Sequence, residues 1–260
     1  MGLFLKDINL KGKTSLITGA TKGIGRGTAI ALAQAGSNII AIGRNQSELD
    51  SLSKVIKKLN VKYTSFNSDV NNYHKMKNYI SKLKQLDILV NNAGTNIPEP
   101  FLKVKKNSLE TILDVNTKAV FNIAQLCANQ IINLKKKNGS IINISSIFGV
   151  VAGQDRTVYS MTKFGVEGLT KGMAIDLAKY NIRVNSVCPN IVLTPRTKKY
   201  FANKKYNKYV KQSTPLDKVV TVSDVATSIT FLASEASSMI TGTSIIIDGG
   251  WTSKWNILLV

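Results

Sequence analysis

The stretch Thr18-Gly19-Ala20-Thr21-Lys22-Gly23-Ile24-Gly25 follows a short apolar run, Thr14–Thr18, and leads into a segment with helical periodicity. Glycines at such positions let the backbone adopt positive φ and approach a ligand closely. A helix that begins directly after the turn presents free N–H groups and the positive end of its dipole to a phosphate. The stretch therefore predicts a strand, a phosphate-binding turn and a helix, although glycine-rich turns also serve as plain connectors.

Short β-branched runs alternate with longer helical stretches along the rest of the chain, a pattern typical of βα units. The predicted strands are Thr14–Thr18, Asn38–Ile42, Lys62–Asn67, Leu86–Val90, Ser140–Ile144, Arg183–Val187 and Ser244–Ile247. The predicted helices are Ile24–Ala35, Gln46–Lys58, Tyr73–Leu83, Ser108–Leu134, Val158–Lys179 and Val222–Leu232. We therefore expect an α/β fold over residues 1–260, a single doubly wound Rossmann-type domain with a seven-stranded parallel sheet and helices on both faces.

The segment 194–215 differs from its surroundings, because it is rich in Lys, Tyr and Asn and has Pro195 and Pro215 near its ends. Segments of this kind often cover an active site and move during turnover. We predict a mobile helical lid there.

The composition is that of a soluble globular protein, with 43% hydrophobic and 19% charged residues among 260. No apolar run approaches the roughly 20 residues that a membrane-spanning helix needs. The first residues, Met1–Lys13, carry scattered charges and lack the apolar core of a secretory signal. The sequence therefore predicts a cytoplasmic protein without membrane association.

Cysteine and histidine are too few and too scattered to suggest a metal site. Cys127 and Cys188 fit no metal-ligand spacing, so we expect both thiols to be buried as small hydrophobic groups. The single histidine, His74, lies in a polar stretch and cannot supply a histidine cluster or a Ser-His-Asp triad. We therefore predict no bound metal.

The formal net charge of +20 raises the question of nucleic-acid binding, because clustered cations release counterions from phosphate backbones. Here the lysines are spread over nearly every predicted helix, and arginine, which favours bidentate phosphate contacts, is scarce. No recognised nucleic-acid module accompanies the charge. We therefore expect no specific nucleic-acid partner.

The end of the second predicted strand indicates which dinucleotide the glycine-rich turn would bind. An acidic residue there would pair with a free ribose 2′-hydroxyl, but the sequence reads Gly43-Arg44-Asn45. Arg44, with Lys22 in the turn, favours a 2′-phosphate through charge-assisted hydrogen bonds. The alternative is that both are solvated surface cations. We predict NADP(H) as the preferred cofactor, with NAD(H) as the alternative.

Further motifs follow in a fixed order along the chain. They are Asp69-Val70, Asn91-Asn92-Ala93-Gly94, Asn116, Ser146, Tyr159-x-x-x-Lys163, Pro189, Thr194 and Asp248-Gly249-Gly250. With the glycine-rich turn before them, they make the chain resemble the short-chain dehydrogenase/reductase family from about Leu10 to Trp251. The resemblance implies an enzyme that transfers a hydride between a nicotinamide cofactor and a small-molecule carbonyl or alcohol.

Tyr159 and Lys163 lie four residues apart on a predicted helix and therefore share one face. A neighbouring ammonium favours the phenolate, so we expect the pKa of Tyr159 to be lowered. The resemblance implies that Tyr159 gives its proton to the substrate carbonyl and that Lys163 also bonds the nicotinamide ribose. It selects Ser146, thirteen residues before the tyrosine, as the catalytic serine, with Ser145 as an alternative. It also implies that Asn116 holds a water in a proton relay.

The resemblance further implies the residues that contact the cofactor. They are Gly19, Thr21, Lys22, Gly23, Ile24, Gly25, Arg44, Asp69, Val70, Asn91, Ala93, Gly94, Pro189, Ile191 and Thr194, together with Tyr159 and Lys163. Asp69 is expected to read the adenine amino group. For Asn91, a structural tie between two strands is an equally good interpretation, since buried asparagine is usually satisfied within the protein.

The substrate is the least constrained part of the pattern. The candidate substrate residues are Asn96, Phe148, Gln154 and Asn190. The family usually has glycine in place of Asn190, but asparagine tolerates positive φ, so the turn can persist. Polar groups before the tyrosine favour a small polar substrate, such as a sugar, polyol or hydroxy acid. Lid cations, including Arg196, either add an anion site or are solvated.

Two other functions stay open. A 3-oxoacyl-(acyl-carrier-protein) reductase has an acidic carrier that would suit a basic surface, but Thr95–Phe101 lacks the charge pattern associated with that branch. A catalytically inactive cofactor-binding scaffold would not need Ser146, Tyr159 and Lys163. The apolar C-terminus, Trp255–Val260, favours burial in an interface, and the resemblance implies a homotetramer.

Overall fold

A seven-stranded parallel sheet forms the core of the fold. The structure is a computed structural model and describes residues 8–135 and 138–254. The strands are β1 (Thr14–Thr18), β2 (Asn38–Gly43), β3 (Tyr63–Asn67), β4 (Ile88–Asn91), β5 (Gly139–Ile144), β6 (Ile182–Pro189), β7 (Val192–Leu193), β8 (Val220–Thr221) and β9 (Ser244–Ile247). The sheet order is β3-β2-β1-β4-β5-β6-β9, and all neighbours pair in parallel. The predicted fold class is confirmed.

Helices cover both faces of this sheet. They are α1 (Gly23–Gln34), α2 (Gln46–Ile56), α3 (Tyr73–Ile80), α4 (Lys106–Leu113), α5 (Ala119–Asn133), α6 (Thr157–Leu177), α7 (Lys198–Phe201), α8 (Lys204–Ser213) and α9 (Val222–Ala233). One buried apolar cluster joins the sheet to α1, α2 and α9, and a second joins it to α3, α5 and α6. Both faces of the sheet are therefore shielded from solvent, as is usual for parallel sheets.

Capping residues and the spacing of apolar residues explain where these helices form, as α2 illustrates. The Asn45 side chain accepts a hydrogen bond from the backbone N–H of Glu48 at 3.1 Å, which caps the start of the helix. Leu49, Leu52 and Ile56 recur at helical spacing and are fully buried in the cluster on that face. Each buried side chain of this kind contributes about 1.5–3 kcal/mol by leaving water.

The strand order reverses direction between β1 and β4. From β1 the chain moves outward to β2 and β3, then returns past β1 to β4 and moves outward on the other side. Doubly wound sheets bind ligands in the crevice that such a reversal leaves at the carboxyl ends of the strands. The glycine-rich turn follows β1 and the Asn-Asn-Ala-Gly motif follows β4, so both reach this crevice.

Strand bounds agree with the prediction to within two residues. The largest difference at a strand start is in β4, which begins at Ile88 rather than Leu86. The cause is Asp87, whose carboxylate accepts the backbone N–H of Thr14 at 2.9 Å and so holds the chain just before the strand. β1 and β9 match their predicted bounds.

The predicted helix Ser108–Leu134 is wrong as one continuous α-helix. The helical segment begins earlier, at Lys106, and a π-helical turn over Asp114–Lys118 separates α4 from α5. The turn carries Asn116, whose side chain bonds both backbone groups of Thr95. The wider turn lets this side chain reach the loop after β4, and such π turns are frequent at functional sites.

The segment 194–215 contains two short helices, α7 and α8, as predicted for a helical lid. A small parallel sheet that the sequence did not predict joins the two ends of this region. In it, β7 pairs with β8 through Val192 opposite Val220 and Leu193 opposite Thr221. The lid is therefore anchored at its base, and its mobility stays a prediction.

Other sequence-based predictions have mixed outcomes. Cys127 and Cys188 are buried and free, as expected. Residues 1–7 and the apolar C-terminus, Trp255–Val260, lie outside the described residues. Within residues 8–135 and 138–254, no helix combines the length and apolar character needed to cross a membrane. The same ranges contain no group of three or more side chains suited to hold a metal ion.

Candidate active site

The glycine-rich turn forms a cradle that a phosphate can approach. Gly19 and Gly23 adopt positive φ, 62° and 51°. A Cβ on Gly25 would lie 2.3 Å from the Gly19 carbonyl oxygen and 2.4 Å from Asn92 Nδ2, so no side chain fits there. Lys22 is the N-cap residue of α1, and no side chain caps this helix. The residues present therefore fit a dinucleotide pyrophosphate at the helix N-terminus.

The two cations expected to bind a 2′-phosphate each have an acidic partner. Lys22 Nζ lies 2.6 Å from the Glu48 carboxylate, and this hydrogen bond lowers the pKa of Glu48. Arg44 lies 3.5 Å from Asp69, and its side chain is 79% exposed. Exposed pairs of this kind are weak, so both cations stay available to a phosphate. Sequence alone could not show the pairs, because Glu48 and Asp69 come from other parts of the fold.

A cleft of about 690 Å³ lies at the carboxyl ends of the strands, next to the lid. The four candidate substrate residues, Asn96, Phe148, Gln154 and Asn190, all line it. Predicted catalytic and cofactor residues that line it are Ser146, Tyr159, Lys163, Ile24, Gly94, Pro189, Ile191 and Thr194. Lid residues that the sequence did not single out also line it, namely Tyr200, Tyr206, Tyr209 and Val210. The structure thus brings the four predicted substrate residues and three of the four predicted catalytic residues into one cleft, whereas Asn116 is not among the lining residues.

Tyr159 and Lys163 lie one turn apart on α6, as predicted. Lys163 Nζ is 5.7 Å from the centroid of the Tyr159 ring and donates a hydrogen bond to the Ile144 carbonyl oxygen at 2.7 Å. The Ser146 side chain lowers the pKa of Tyr159, and its Oγ accepts the backbone N–H of Phe148 at 3.2 Å. Ser145 instead directs its hydroxyl to the Lys163 carbonyl oxygen at 3.4 Å. The geometry therefore favours Ser146 over Ser145 as the partner of the tyrosine.

The predicted direction of the pKa shift at Tyr159 is wrong. Burial raises the pKa of Tyr159, and the hydrogen bond with Ser146 and the charges of Arg196 and Arg156 offset only part of this increase. Burial also lowers the pKa of Lys163 to about 8, because a buried ammonium loses its hydration. The prediction considered only the neighbouring charge, whereas desolvation has the larger effect here.

Asn116 connects the π-helical turn to the loop after β4. Its Oδ1 accepts the backbone N–H of Thr95 at 2.8 Å, and its Nδ2 donates to the Thr95 carbonyl at 2.9 Å and to Thr162 Oγ1 at 3.2 Å. A Cβ on Gly94 would lie 3.5 Å from Asn116 Oδ1 and 3.9 Å from Lys163 Nζ. Asn116 is therefore close to the lysine, and its role in holding a water stays a prediction.

Asn91 and Asn190 both have partners within the protein. Asn91 Nδ2 donates to Asn143 Oδ1 at 3.0 Å and to the Val120 carbonyl at 3.3 Å, so this buried side chain ties β4 to β5. The structural interpretation of Asn91 describes its position better than a cofactor contact does. Asn190 does not adopt positive φ, and its Oδ1 accepts the backbone N–H of Ile191 at 2.7 Å.

Sequence comparison relates the whole of this architecture to known enzymes. A family model described as enoyl-(acyl carrier protein) reductase matches residues 19–252. The 3-oxoacyl-(acyl-carrier-protein) reductase of Thermotoga maritima is 38% identical, over 94% of this chain and 99% of that protein. The L-xylulose reductase of Mus musculus is 35% identical, over 94% of this chain and 98% of that protein. The chain belongs to the short-chain dehydrogenase/reductase family.

As a member of this family, the protein is an NAD(P)-dependent oxidoreductase that acts on CH–OH groups. Solved structures of short-chain dehydrogenases agree with its fold. One is the crystal structure of a gluconate 5-dehydrogenase from Burkholderia cenocepacia in complex with NADP and tartrate. It is 30% identical, covers 95% of this chain and 98% of its own, and superimposes with a TM-score of 0.90.

Asn92 belongs to the Asn-Asn-Ala-Gly motif of this short-chain dehydrogenase, but sequence reasoning assigned it no role in the site. Its Nδ2 donates to the carbonyl oxygens of Thr18 and Gly19 at 2.9 and 3.1 Å. In return, Thr18 Oγ1 accepts the backbone N–H groups of Asn92 and Ala93, each at 3.0 Å. These bonds fix the glycine-rich turn against the end of β4. The position of Asn92 directly after a buried strand was the signal that could have identified it.

The arrangement can carry out acid–base chemistry on an oxygen atom. Ser146 and Tyr159 both line the cleft, so both hydroxyl groups can contact one carbonyl oxygen. The buried ammonium of Lys163 lies beside them. A nicotinamide cofactor, when bound in the crevice, supplies or accepts the hydride.

Proposed function

We propose that this short-chain dehydrogenase interconverts a carbonyl and a secondary alcohol on a small polar substrate, with NADP(H) as its preferred cofactor. The observation that carries the proposal is the Ser146–Tyr159 pair next to Lys163 in a cleft whose lining includes the amides of Asn96, Gln154 and Asn190. Amide groups suit a sugar, polyol or hydroxy acid, because a site that hydrogen-bonds hydroxyl groups rejects molecules that lack them.

In this proposal Tyr159 protonates the substrate oxygen during reduction and accepts the proton during oxidation. Ser146 donates a hydrogen bond to the same oxygen and stabilises the charge that develops there. Lys163 binds the nicotinamide ribose and favours the phenolate, while Asn116 holds a water that links the lysine to solvent. The protein acts as one domain, with residues 194–215 as a lid over the substrate.

NADP(H) preference is supported by the charges at the end of β2. Arg44 and Lys22 lie where the adenosine ribose of a dinucleotide is expected, and neither cation is deeply buried. The other proposed contacts are the glycine-rich turn and the ends of β3, β4 and β6, namely Gly19, Thr21, Gly23, Ile24, Gly25, Asp69, Val70, Ala93, Gly94, Pro189, Ile191 and Thr194. The Burkholderia relative was solved with NADP, which agrees with this preference.

The polar-substrate proposal agrees with several relatives. The L-xylulose reductase of Mus musculus and the D-erythrulose reductase of Gallus gallus are 35% and 34% identical to this chain. The gluconate 5-dehydrogenase structure contains tartrate, a small polyhydroxylated acid. Sugars and sugar acids of this size fit a cleft of about 690 Å³.

A second candidate is 3-oxoacyl-(acyl-carrier-protein) reduction. The specific observation that favours it is the 38% identity to the Thermotoga maritima enzyme of that name. The formal charge of +20 would also attract an acidic carrier protein. We rank it second, because the amide-lined cleft favours a hydroxylated substrate over an alkyl chain.

We also propose that the protein forms a homotetramer. Phe121 on α5 and Met161 and Phe164 on the neighbouring α6 are each about half exposed, at 48%, 50% and 48%. Apolar side chains grouped on adjacent helices in this way favour burial between subunits.

A turnover screen tests the proposed function. NADPH and NADH are each offered with L-xylulose, D-erythrulose, 5-keto-D-gluconate and acetoacetyl-coenzyme A, and oxidation of the cofactor is followed by absorbance. We expect turnover of the hydroxylated ketones, with NADPH preferred. Turnover of the thioester alone would overturn the polar-substrate proposal, and turnover with NADH alone would overturn the cofactor preference.

Replacement of the tyrosine separates an enzyme from a catalytically inactive scaffold. Tyr159→Phe should reduce kcat by about 10²–10⁴-fold, the usual contribution of a positioned acid or base, while NADPH still binds. Tyr180→Phe, at an exposed position in the turn that follows α6, is the matched control and should keep full activity. Equal activity of both variants would contradict the assigned role of Tyr159.

A further inference from the structure

Among residues 8–135 and 138–254, those that line the cleft beside Tyr159 carry positive charge and no compensating carboxylate. Its charged lining side chains are Arg156, Lys163 and Arg196, and none of the lining residues is acidic. Lys163 already has an assigned role, because it donates a hydrogen bond to the Ile144 carbonyl and lies beside Tyr159. Arg156 and Arg196 have no part in the chemistry proposed above.

The backbone holds Arg156 at the edge of the cleft. Asp155 has φ of 57°, and its carbonyl oxygen accepts hydrogen bonds from the Glu99 backbone N–H at 3.2 Å and from Arg156 Nη1 at 3.1 Å. A guanidinium carries five N–H donors, so most of this one remains available to a ligand. Arg156 is also the N-cap residue of α6, where no side chain caps the helix. The positive end of the α6 dipole therefore adds to its charge.

Arg196 reaches the same cleft from the lid. Its Nη2 donates to the backbone carbonyl oxygen of Asn96 at 3.2 Å, a contact between the start of the lid and the loop after β4. This single hydrogen bond leaves most of the guanidinium donors free for a ligand. Neither Arg196 nor Arg156 forms an ion pair with a carboxylate of the residues that the structure describes.

Arg156 and Arg196 line the same cleft as Tyr159, and the charges of both act on its hydroxyl. Burial raises the pKa of Tyr159, while the charges of Arg196 and Arg156 lower it. Arg156 also lowers the pKa of Tyr206, a lid residue that lines the cleft and whose pKa burial raises. A ligand group held by the two arginines would therefore lie near the oxygen that reacts.

We propose that Arg156 and Arg196 form a subsite for an anionic group of the substrate, so that the enzyme acts on carbonyl compounds that carry a carboxylate or a phosphate. This inference rests on the proposed oxidoreductase function and narrows it to acidic substrates. Guanidinium groups bind both anions through paired N–H donors, and two of them facing a cleft without carboxylates favour an anion over a neutral hydroxyl group. Exposed Lys198 and Lys199 lie outside the lining and take no part.

Matched substrates test the subsite. 5-Keto-D-gluconate and L-sorbose differ by a carboxylate in place of a hydroxymethyl group, and D-xylulose 5-phosphate and D-xylulose differ by the phosphate. We expect kcat/KM with NADPH to favour the anionic member of at least one pair by about 10-fold or more, and the favoured pair identifies the anion. Equal kcat/KM within both pairs would overturn the proposal.

Variants then assign the preference to the two arginines. Arg156→Gln and Arg196→Gln should each lower kcat/KM for the anionic ketone by about 10- to 100-fold, the value of one charge-assisted hydrogen bond. The neutral partner should change by no more than about threefold. Lys198→Gln, which removes a lid cation outside the cleft, is the control and should change neither. Equal losses on both partners, accompanied by weaker NADPH binding, would instead assign the arginines to the cofactor pyrophosphate and overturn the proposal.

Ligand binding without turnover separates this inference from the proposed function. In the complex with NADPH, tartrate and its neutral analogue threitol are titrated by calorimetry. Tartrate should bind, threitol should bind about 10-fold more weakly or not at all, and either Arg→Gln variant should abolish the difference. Failure of all ketones to turn over while tartrate binds in this way would overturn the proposed function alone. Equal binding of tartrate and threitol would overturn the subsite alone.

Discussion

Glu167 lies one helical turn beyond Lys163 on α6, and its carboxylate is the buried negative charge closest in sequence to that ammonium. Burial lowers the pKa of Lys163 to about 8, and Cys188 and Glu167 counteract this decrease. Cys188 is a neutral thiol at neutral pH, because burial raises its pKa to about 12. Glu167 is therefore the carboxylate that raises the pKa of Lys163 against the effect of burial, and Ser186 Oγ and Cys188 Sγ hold it through hydrogen bonds at 2.8 and 3.4 Å.

Glu167→Gln should move the pH profile of ketone reduction. The change removes the charge but keeps the shape, so the pKa of Lys163 falls further and the ammonium is lost at a lower pH. Activity that depends on the ammonium should then decline at a lower pH. On the alkaline side, kcat/KM should fall by about 10-fold for each pH unit by which the profile moves. Ser244→Ala, which removes one hydrogen bond to the same carboxylate, should leave the profile in place. Superimposable profiles of the wild type and Glu167→Gln would contradict this role.

Gly25→Ala should damage the cofactor cradle. The added Cβ would lie 2.3 Å from the Gly19 carbonyl oxygen, and relief of that contact must move the turn. We expect the free energy of unfolding to fall by about 1–3 kcal/mol, as for other overpacked sites, and NADPH binding to be lost. Urea unfolding and NADPH titration measure both effects, and tight NADPH binding by Gly25→Ala would refute the assignment.

Local sequence predicted the main elements because their signals are local. The seven strands of the main sheet are predicted by short runs of strand-forming residues. Helical periodicity predicts α6, and this helix places Tyr159 and Lys163 on one face. The resemblance then supplied the order of the motifs. Together they were enough to bring the catalytic residues into one predicted site.

Features that depend on distant contacts were not predictable in the same way. The π-helical turn places Asn116 so that its side chain hydrogen-bonds Thr95, which is 21 residues away in the sequence. The small sheet at the base of the lid joins Val192 to Val220, and neither short segment has a strand pattern of its own. The pKa of Tyr159 depends on how many atoms surround the hydroxyl, which composition and spacing do not give.

Arg44→Ala should change the cofactor preference more than the chemistry. The guanidinium at the end of β2 is exposed and only loosely paired with Asp69 at 3.5 Å, so a 2′-phosphate can compete for it. Loss of a charge-assisted hydrogen bond of about 1.5–3 kcal/mol should raise KM for NADPH by 10-fold or more, with KM for NADH nearly unchanged. Lys54→Ala, on the exposed face of α2, controls for the loss of one surface charge. An equal rise of both KM values would contradict the assignment of Arg44 to the 2′-phosphate.

Phe164→Asp should reduce the size of the assembly. Phe164 on α6 and Phe121 on α5 lie on the same face of the sheet and are each 48% exposed, so an interface that buries them removes apolar area from water. A carboxylate at position 164 would have to lose its hydration in that interface, which strongly opposes association. Light scattering after gel filtration should show a tetramer for the wild type and smaller species for the variant. Lys54→Asp on α2, which packs on the opposite face, should stay tetrameric. A monomeric wild type, or a Phe164→Asp variant of unchanged mass, would exclude α6 as the subunit interface.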